Sequence, residues 1–289
     1  MKKNAPRELQ GERLQKKLAA SGMGSRREIE RWITEGRLKI NGRLARLGDR
    51  VTEEDLVSLD DRPVSSKRLG EVERRVIIYN KPEGEMVTRS DPEGRRTVFA
   101  NLPKLDRGRW IAIGRLDINS AGLMIFTTDG ELANRLMHPA QQIEREYAVR
   151  VMGQVTEDML KTLVNGVELE DGFARFEDIV ESGGEGINRW YHVVIMEGRK
   201  REVRRLWESV GVKVNRLKRV RFGTVILDSS VKVGQWRDLG NKERQQLLEL
   251  VDIKEPKPAK KTSYGDKPQR GKPAGKARHS PWKKNPGKK

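Results

Sequence analysis

Residues 113–126 read Ile113-Gly114-Arg115-Leu116-Asp117-Ile118-Asn119-Ser120-Ala121-Gly122-Leu123-Met124-Ile125-Phe126, and Thr127-Thr128-Asp129-Gly130 follow. A charged Arg-Leu-Asp triplet sits between two apolar runs. In an extended chain Arg115 and Asp117 point the same way, because side chains alternate across a strand. Taken alone, the pair reads as a surface ion pair worth at most about 1 kcal/mol. Two further segments bear on it. Glu144-Arg145-Glu146-Tyr147-Ala148-Val149-Arg150-Val151 places Tyr147, Val149 and Val151 on one strand face, where a tyrosine is usually core. Glu197-Gly198-Arg199-Lys200-Arg201-Glu202-Val203-Arg204-Arg205-Leu206-Trp207 runs from a strand into a helix with the apolar stripe Val203, Leu206, Trp207 and Val210. Arg204 borders that stripe and Arg205 lies roughly opposite. Arg204 is therefore expected to point into a cleft floored by the core, and Arg205 to face solvent or RNA.

Around these segments, strand-like runs (75–79, 145–152, 190–196, 217–222) alternate with helical ones (131–137, 157–164, 201–210). The pattern predicts an α+β fold: a mostly antiparallel, mixed sheet with flanking helices over residues 74–252. Ahead of it, residues 9–20 space Leu9, Leu14 and Leu18 along one helical face. Ser25-Arg26-Arg27-Glu28 has the hydroxyl and the acid three residues on that make a capping box. The helix it opens carries Ile29, Trp32 and Ile33 and stops at Gly36. Asn41-Gly42 is a strong hairpin signal, and 51–59 supplies another short strand. Residues 60–74 look like a linker.

The chain has 289 residues with 60 Lys+Arg against 42 Asp+Glu, a net charge of +18, no cysteine and three histidines, His138, His192 and His279. Absence of cysteine excludes a disulfide scaffold, thiolate zinc sites and a cysteine nucleophile, and the scattered histidines argue against a metal site. The charge points to a polyanion, nucleic acid first. It is unevenly placed. The first 50 residues hold 14 basic and six acidic groups, and residues 254–289 hold 13 and two, so the middle is nearly neutral. Residues 253–289 also hold six prolines and few aliphatic side chains, which predicts a disordered basic tail adding salt-sensitive attraction to phosphates. The amino terminus has no apolar signal core, and the longest apolar stretch is far below the roughly 20 residues of a membrane helix. A soluble, cytoplasmic protein is expected.

Leu14–Leu18, Ser25-Arg26-Arg27, Ile33, Gly36, Ile40, Asn41-Gly42 and Gly48-Asp49 resemble the S4-like RNA-binding domain, placed at residues 10–70. The resemblance implies RNA contacts from Arg26, Arg27, Lys39 and Arg43. Arg26 and Arg27 also lie in a first helical turn, where free amides and the dipole favour phosphate.

Gly114-Arg115-Leu116-Asp117, followed by Ser120 and Gly122-Leu123, resembles the signature of bacterial rRNA pseudouridine synthases acting on the small or the large ribosomal subunit, with the B-type branch of the large-subunit enzymes fitting best. Lys81-Pro82-Glu83-Gly84, Asp91-Pro92-Glu93-Gly94-Arg95, the stretch 127–139, Gly183–Asn188 and Glu202–Trp207 extend the match over about residues 10–250. Ser120 stands where relatives often have Thr, and Arg145 where many have Lys. The resemblance implies isomerisation of a uridine in 23S ribosomal RNA, in a hairpin near the peptidyl-transferase centre. Asp117 is then the essential carboxylate, Arg204 the cation beside it, and Tyr147 a ring stacked on the uracil. Arg115, with Arg199 and Arg205, is assigned to RNA contact, Arg115 helping to hold the target nucleotide out of its helix. No cofactor, metal or membrane is implied; the partner is ribosomal RNA or a large-subunit assembly intermediate, and a monomer is expected. Two alternatives remain open: the same chemistry on another rRNA or tRNA uridine, and a non-catalytic RNA-binding assembly factor.

Overall fold

The computed structural model describes residues 11–70 and 72–254, all within one compact unit. The tail predicted to be disordered lies, from residue 255 on, outside the described residues.

Two helices open the chain, α1 (Leu14–Ala20) and α2 (Arg26–Thr34). The capping box is complete: the Ser25 hydroxyl accepts from the Glu28 amide at 3.1 Å and Glu28 accepts from the Ser25 amide at 3.2 Å. Leu14, Leu18, Ile29, Trp32 and Ile33 form a small core with Leu38 and Ile40 of β1 (Leu38–Ile40). Asn41 (φ 50°) and Gly42 (φ 84°) turn the chain left-handedly into β2 (Arg43–Leu44), the conformation a tight hairpin matched to strand twist requires.

Residues 51–59 are not one strand. Arg50–Val51 pairs with Glu12–Arg13, whereas β3 (Val57–Leu59) pairs with β1. Asp55 makes the break by accepting from the Thr52 amide at 2.7 Å and from Asn41 Nδ2 at 2.7 Å. The expected linker is also partly structured, since β4 (Arg62–Pro63) adds to the sheet beside β3 and Ser66–Leu69 forms a helical turn.

The rest is built on a nine-stranded sheet. Its principal elements are β5 (Val76–Lys81), β6 (Ala121–Thr127), α3 (Gly130–Met137), β7 (Arg145–Met152), α4 (Glu157–Asn165), β8 (Asp178–Glu185), β9 (Asn188–Ile195), α5 (Glu202–Ser209), β10 (Lys213–Phe222), β11 (Trp236–Asp238) and α6 (Asn241–Glu249). The strand order is β8-β9-β7-β10-β6-β5-β11, with Ile111–Ala112 beside β6 and Val225–Ile226 beside β10. Every pairing is antiparallel except β10 with β6, where Arg219 lies beside Gly122. Alternation sorts the side chains into two cores. Ile77, Tyr79, Met124, Phe126, Tyr147 and Val149 face α4 and α5, while Val76, Ile78, Leu123 and Ile125 face α3 and α6. Sheet residues buried on both faces read as continuous apolar runs, which is why 121–126 shows no alternation. No helix among the described residues is long and apolar enough to cross a membrane.

Candidate active site

Asp117 lies on a turn just before β6, closed by the Ser120 amide donating to the Asp117 carbonyl at 3.1 Å. The backbone of this turn is held by two buried cations. Lys81, fully buried at the end of β5, donates from Nζ to the carbonyls of Ser120 (2.7 Å) and Pro82 (2.9 Å). Arg204, 7% exposed on α5, donates to the carbonyls of Asn119 (2.8 Å) and Val214 (2.9 Å). Asp117 itself is half-buried, and its charge lies close enough to act on both cations. Burial pushes the Lys81 ammonium down to about 8, against the pull of Glu85, Glu83 and Asp117. Burial also lowers Arg204, with Arg201 adding to the effect and Asp117 opposing it. Arg204 is thus buried beside the Asp117 turn. Its hydrogen bonds go to the backbone of the turn, so it orients the loop that carries the carboxylate.

The turn joins the sheet through Gly122, whose φ of +101° and close contact leave no room for a side chain: a Cβ there would stand 2.2 Å from the Arg219 carbonyl oxygen. Only glycine lets the parallel strand approach this far. Arg219 is 2% exposed and donates to the Leu123 carbonyl at 2.7 Å. Across β10 its register partner on β7 is Tyr147, so Gly122, Arg219 and Tyr147 stand in one row over three adjacent strands. Tyr147 is 7% exposed and belongs to the core on the α5 face. Beside it, Arg145 donates to the Ile143 and Met196 carbonyls, each at 2.7 Å. The Pro82–Gly84 loop abuts the same turn, with the Gly84 amide donating to the Ile118 carbonyl at 2.8 Å. Behind that loop, Tyr79 donates to Glu85 at 2.7 Å and Asn101 bonds both.

The arginines and the lysine expected to meet RNA divide into two groups. Arg115, Arg26 and Arg27 are exposed and carry no hydrogen bond or ion pair among the described residues. Lys39 and Arg43 are ion-paired at the surface, to Asp61 (2.5 Å) and Asp49 (2.9 Å). Arg205, expected to face solvent or RNA, lies on the outer side of α5 and is ion-paired there: its guanidinium grips both oxygens of Asp171, each at 2.8 Å. Arg199 is likewise engaged, by the Phe173 carbonyl (2.6 Å), Asp171 and Glu202. A helical wheel tells which way Arg205 leaves its helix; it does not show that a turn from 34 residues earlier lies there. Sequence reasoning gives Lys81 no role. The signal available was a lysine ending the strand-like run Val76-Ile77-Ile78-Tyr79-Asn80-Lys81, apolar over its first four residues.

Residues 75–209 match the family described as RNA pseudouridylate synthase, and residues 12–57 match the S4 domain. Over 245 residues the chain is 58% identical to a protein of Pseudomonas aeruginosa, a match covering 84% of this chain and 64% of that one. It is 57% identical over 244 residues to a protein of Vibrio cholerae, covering 84% and 76% of the two. Both relatives are named ribosomal large subunit pseudouridine synthase B. The chain belongs to the RNA pseudouridine synthases. This family consists of isomerases, and the synthase described here carries an RNA-binding S4 domain ahead of the family's fold. A crystal structure described as a pseudouridylate synthase superposes with a TM-score of 0.57 at 26% identity, covering 81% of this synthase and 99% of that chain.

Proposed function

We propose that the protein converts one uridine of 23S ribosomal RNA, in a hairpin near the peptidyl-transferase centre, to pseudouridine, with Asp117 as the catalytic carboxylate. The observation that carries this reading is the Asp117 turn, held by Lys81 and Arg204 in a chain whose relatives have the name of a large-subunit enzyme. The reaction breaks the bond from ribose C1′ to uracil N1, turns the base, and joins C1′ to C5. The C5 proton leaves and N1 gains one, so nothing is consumed. A carboxylate serves here as a nucleophile, or as the counter-charge to the developing positive sugar. Arg204 and Lys81 keep Asp117 in place and offset the cost of a charge in a half-buried site. Tyr147 stacks on the uracil and assists proton transfer from C5. Arg115, exposed two residues before the carboxylate, meets the RNA backbone and helps hold the flipped nucleotide. The enzyme works in the cytoplasm as a monomer without a cofactor, on free 23S rRNA or on an assembling large ribosomal particle.

The test is to incubate unmodified ribosomal RNA with wild type and with Asp117→Asn, then map pseudouridine by carbodiimide labelling and primer extension. Product at one large-subunit uridine from wild type alone is the expected result. Equal product from the variant removes Asp117 from its role. No product from any RNA favours an assembly factor.

A further inference from the structure

Where the S4 domain meets the synthase domain, three arginines converge, with the charge of Glu28 acting against them on Arg109 and no ion pair to any of the three among the described residues. The two backbones touch through glycines: a Cβ on Gly22 would stand 2.3 Å from the Gly108 carbonyl oxygen. This contact brings the start of α2, and with it Arg26, to the segment carrying Arg109. Arg26 Nη2 and the Ile111 side chain both reach Gly130, lying 3.7 and 3.5 Å from where a Cβ would be. Arg89 comes from the other side, donating to the carbonyl of Trp110, next to Arg109, and stacking 4.6 Å over the Phe99 ring.

Arg109 is the anomaly. Its Nε is sealed from solvent with no hydrogen-bond partner among the described residues, and no carboxylate pairs with Arg26, Arg89 or Arg109 there. Burial first, and then the neighbouring Arg89 and Arg26, push its guanidinium down, against the pull of Glu28. Two carboxylates in the neighbourhood are already committed. Asp129 binds Arg74 at 2.6 Å and caps α3, and Glu28 closes the capping box. Buried donors are almost always satisfied, and three like charges gathered around one carboxylate destabilise a fold. Guanidinium forks match phosphate oxygens in geometry and charge.

We propose that Arg26, Arg89 and Arg109 form a binding site for one RNA backbone phosphate, held jointly by the S4 domain and the synthase domain. This rests on the RNA-modifying reading above and deepens it. Arg109 lies only eight residues before Asp117. A phosphate bound there fixes the RNA to both domains at a set reach from the carboxylate.

The experiment uses the full chain with Arg26→Gln, Arg89→Gln and Arg109→Gln, singly and combined. RNA affinity is measured against salt on an unmodified 23S rRNA transcript. The melting temperature is measured without RNA, with and without inorganic phosphate. Each single variant is expected to weaken binding about tenfold, the loss of roughly one charge-assisted hydrogen bond. The slope of log affinity against log salt should shrink by about 0.7–0.9, and by no more in the triple variant, because one phosphate is involved. The RNA-free protein should melt higher once repulsion is relieved, as expected where function costs stability. Arg89→Gln, at an exposed position, keeps the test open if Arg109→Gln folds poorly. Unchanged affinity and slope overturn the proposal. So does a lower melting temperature with unchanged RNA binding, which marks a structural cluster. Loss of phosphate-induced stabilisation alone, with RNA binding intact, marks a small-anion site and overturns it too. Binding is read independently of product. Arginine-dependent binding without pseudouridine upholds this site while the catalytic reading falls, and pseudouridine formation with an unchanged slope does the reverse.

Discussion

The Arg204 guanidinium donates to the Asn119 carbonyl at 2.8 Å, two residues beyond Asp117, and to the Val214 carbonyl at 2.9 Å. One side chain on α5 thereby ties the turn before β6 to the start of β10. It meets the carboxylate through charge and the loop through hydrogen bonds, so geometry and electrostatics at Asp117 depend on the same group.

Arg204→Met is expected to leave both carbonyls without this donor and to destabilise the fold by about 1–3 kcal/mol. It should also cut pseudouridine formation. Arg204→Lys, which keeps the charge and one donor direction, should recover part of the stability and little of the rate. Thermal melts and single-turnover product assays on both variants check this. Asp117→Asn, by contrast, should melt close to wild type yet lose product formation by roughly a thousandfold.

Lys81 makes stability depend on pH. Its folded-state value of about 8 lies below the ordinary lysine value of 10.5, so between these two pH values the unfolded chain binds more protons. Stability therefore rises with pH through this window. The penalty for burying the charged ammonium is fully present below pH 8 and is relieved by about pH 10.5, a difference of about 2–3 kcal/mol. Denaturant unfolding of wild type and Lys81→Met from pH 7 to 10.5 should show a rise in wild type that the variant lacks. Parallel curves would refute it.

Gly122→Ala places a methyl group 2.2 Å from the Arg219 carbonyl oxygen at a φ of +101°. The parallel seam must open to take it, at a cost of about 3 kcal/mol or more. A low melting temperature, with product formation falling alongside, is the expected outcome; the test is calorimetry on the single variant.

Arg205→Gln and Arg199→Gln should leave the salt dependence of RNA binding unchanged, because both guanidinium groups are held by Asp171 and its turn. Their effect should be a modest fall in melting temperature that Asp171→Asn reproduces. Arg115→Gln, at an exposed side chain with no partner among the described residues, should instead lower the salt slope by about 0.7–0.9. Titration of RNA at several salt concentrations separates the two behaviours.

Much of the local structure was legible. The capping box at Ser25 and Glu28, the Asn41-Gly42 turn, the strand over 145–152 and the helix after Arg201 each follow from spacing within one element. The division between a buried Arg204 and an outward Arg205 followed from the helical period. Less legible was the stretch 51–59, where strand-forming residues are broken by Asp55, which gathers hydrogen bonds from Thr52 and Asn41. The helix Asn241–Glu249 went unread because only Leu247 and Leu248 mark its buried side.

Sequence alone thus determined most of the elements, the basic ends around a neutral middle, and the signature around Asp117. Only the tertiary structure decided what each charge meets. It buried Lys81 under the Asp117 turn, gave Arg199 and Arg205 to Asp171, and brought Arg26, Arg89 and Arg109 together with no ion-pair partner among the described residues. The physical reason is separation along the chain. Periodicity reports the face a residue occupies within its own helix or strand, whereas burial, pKa and pairing depend on neighbours far away in sequence, brought together only when the sheet closes.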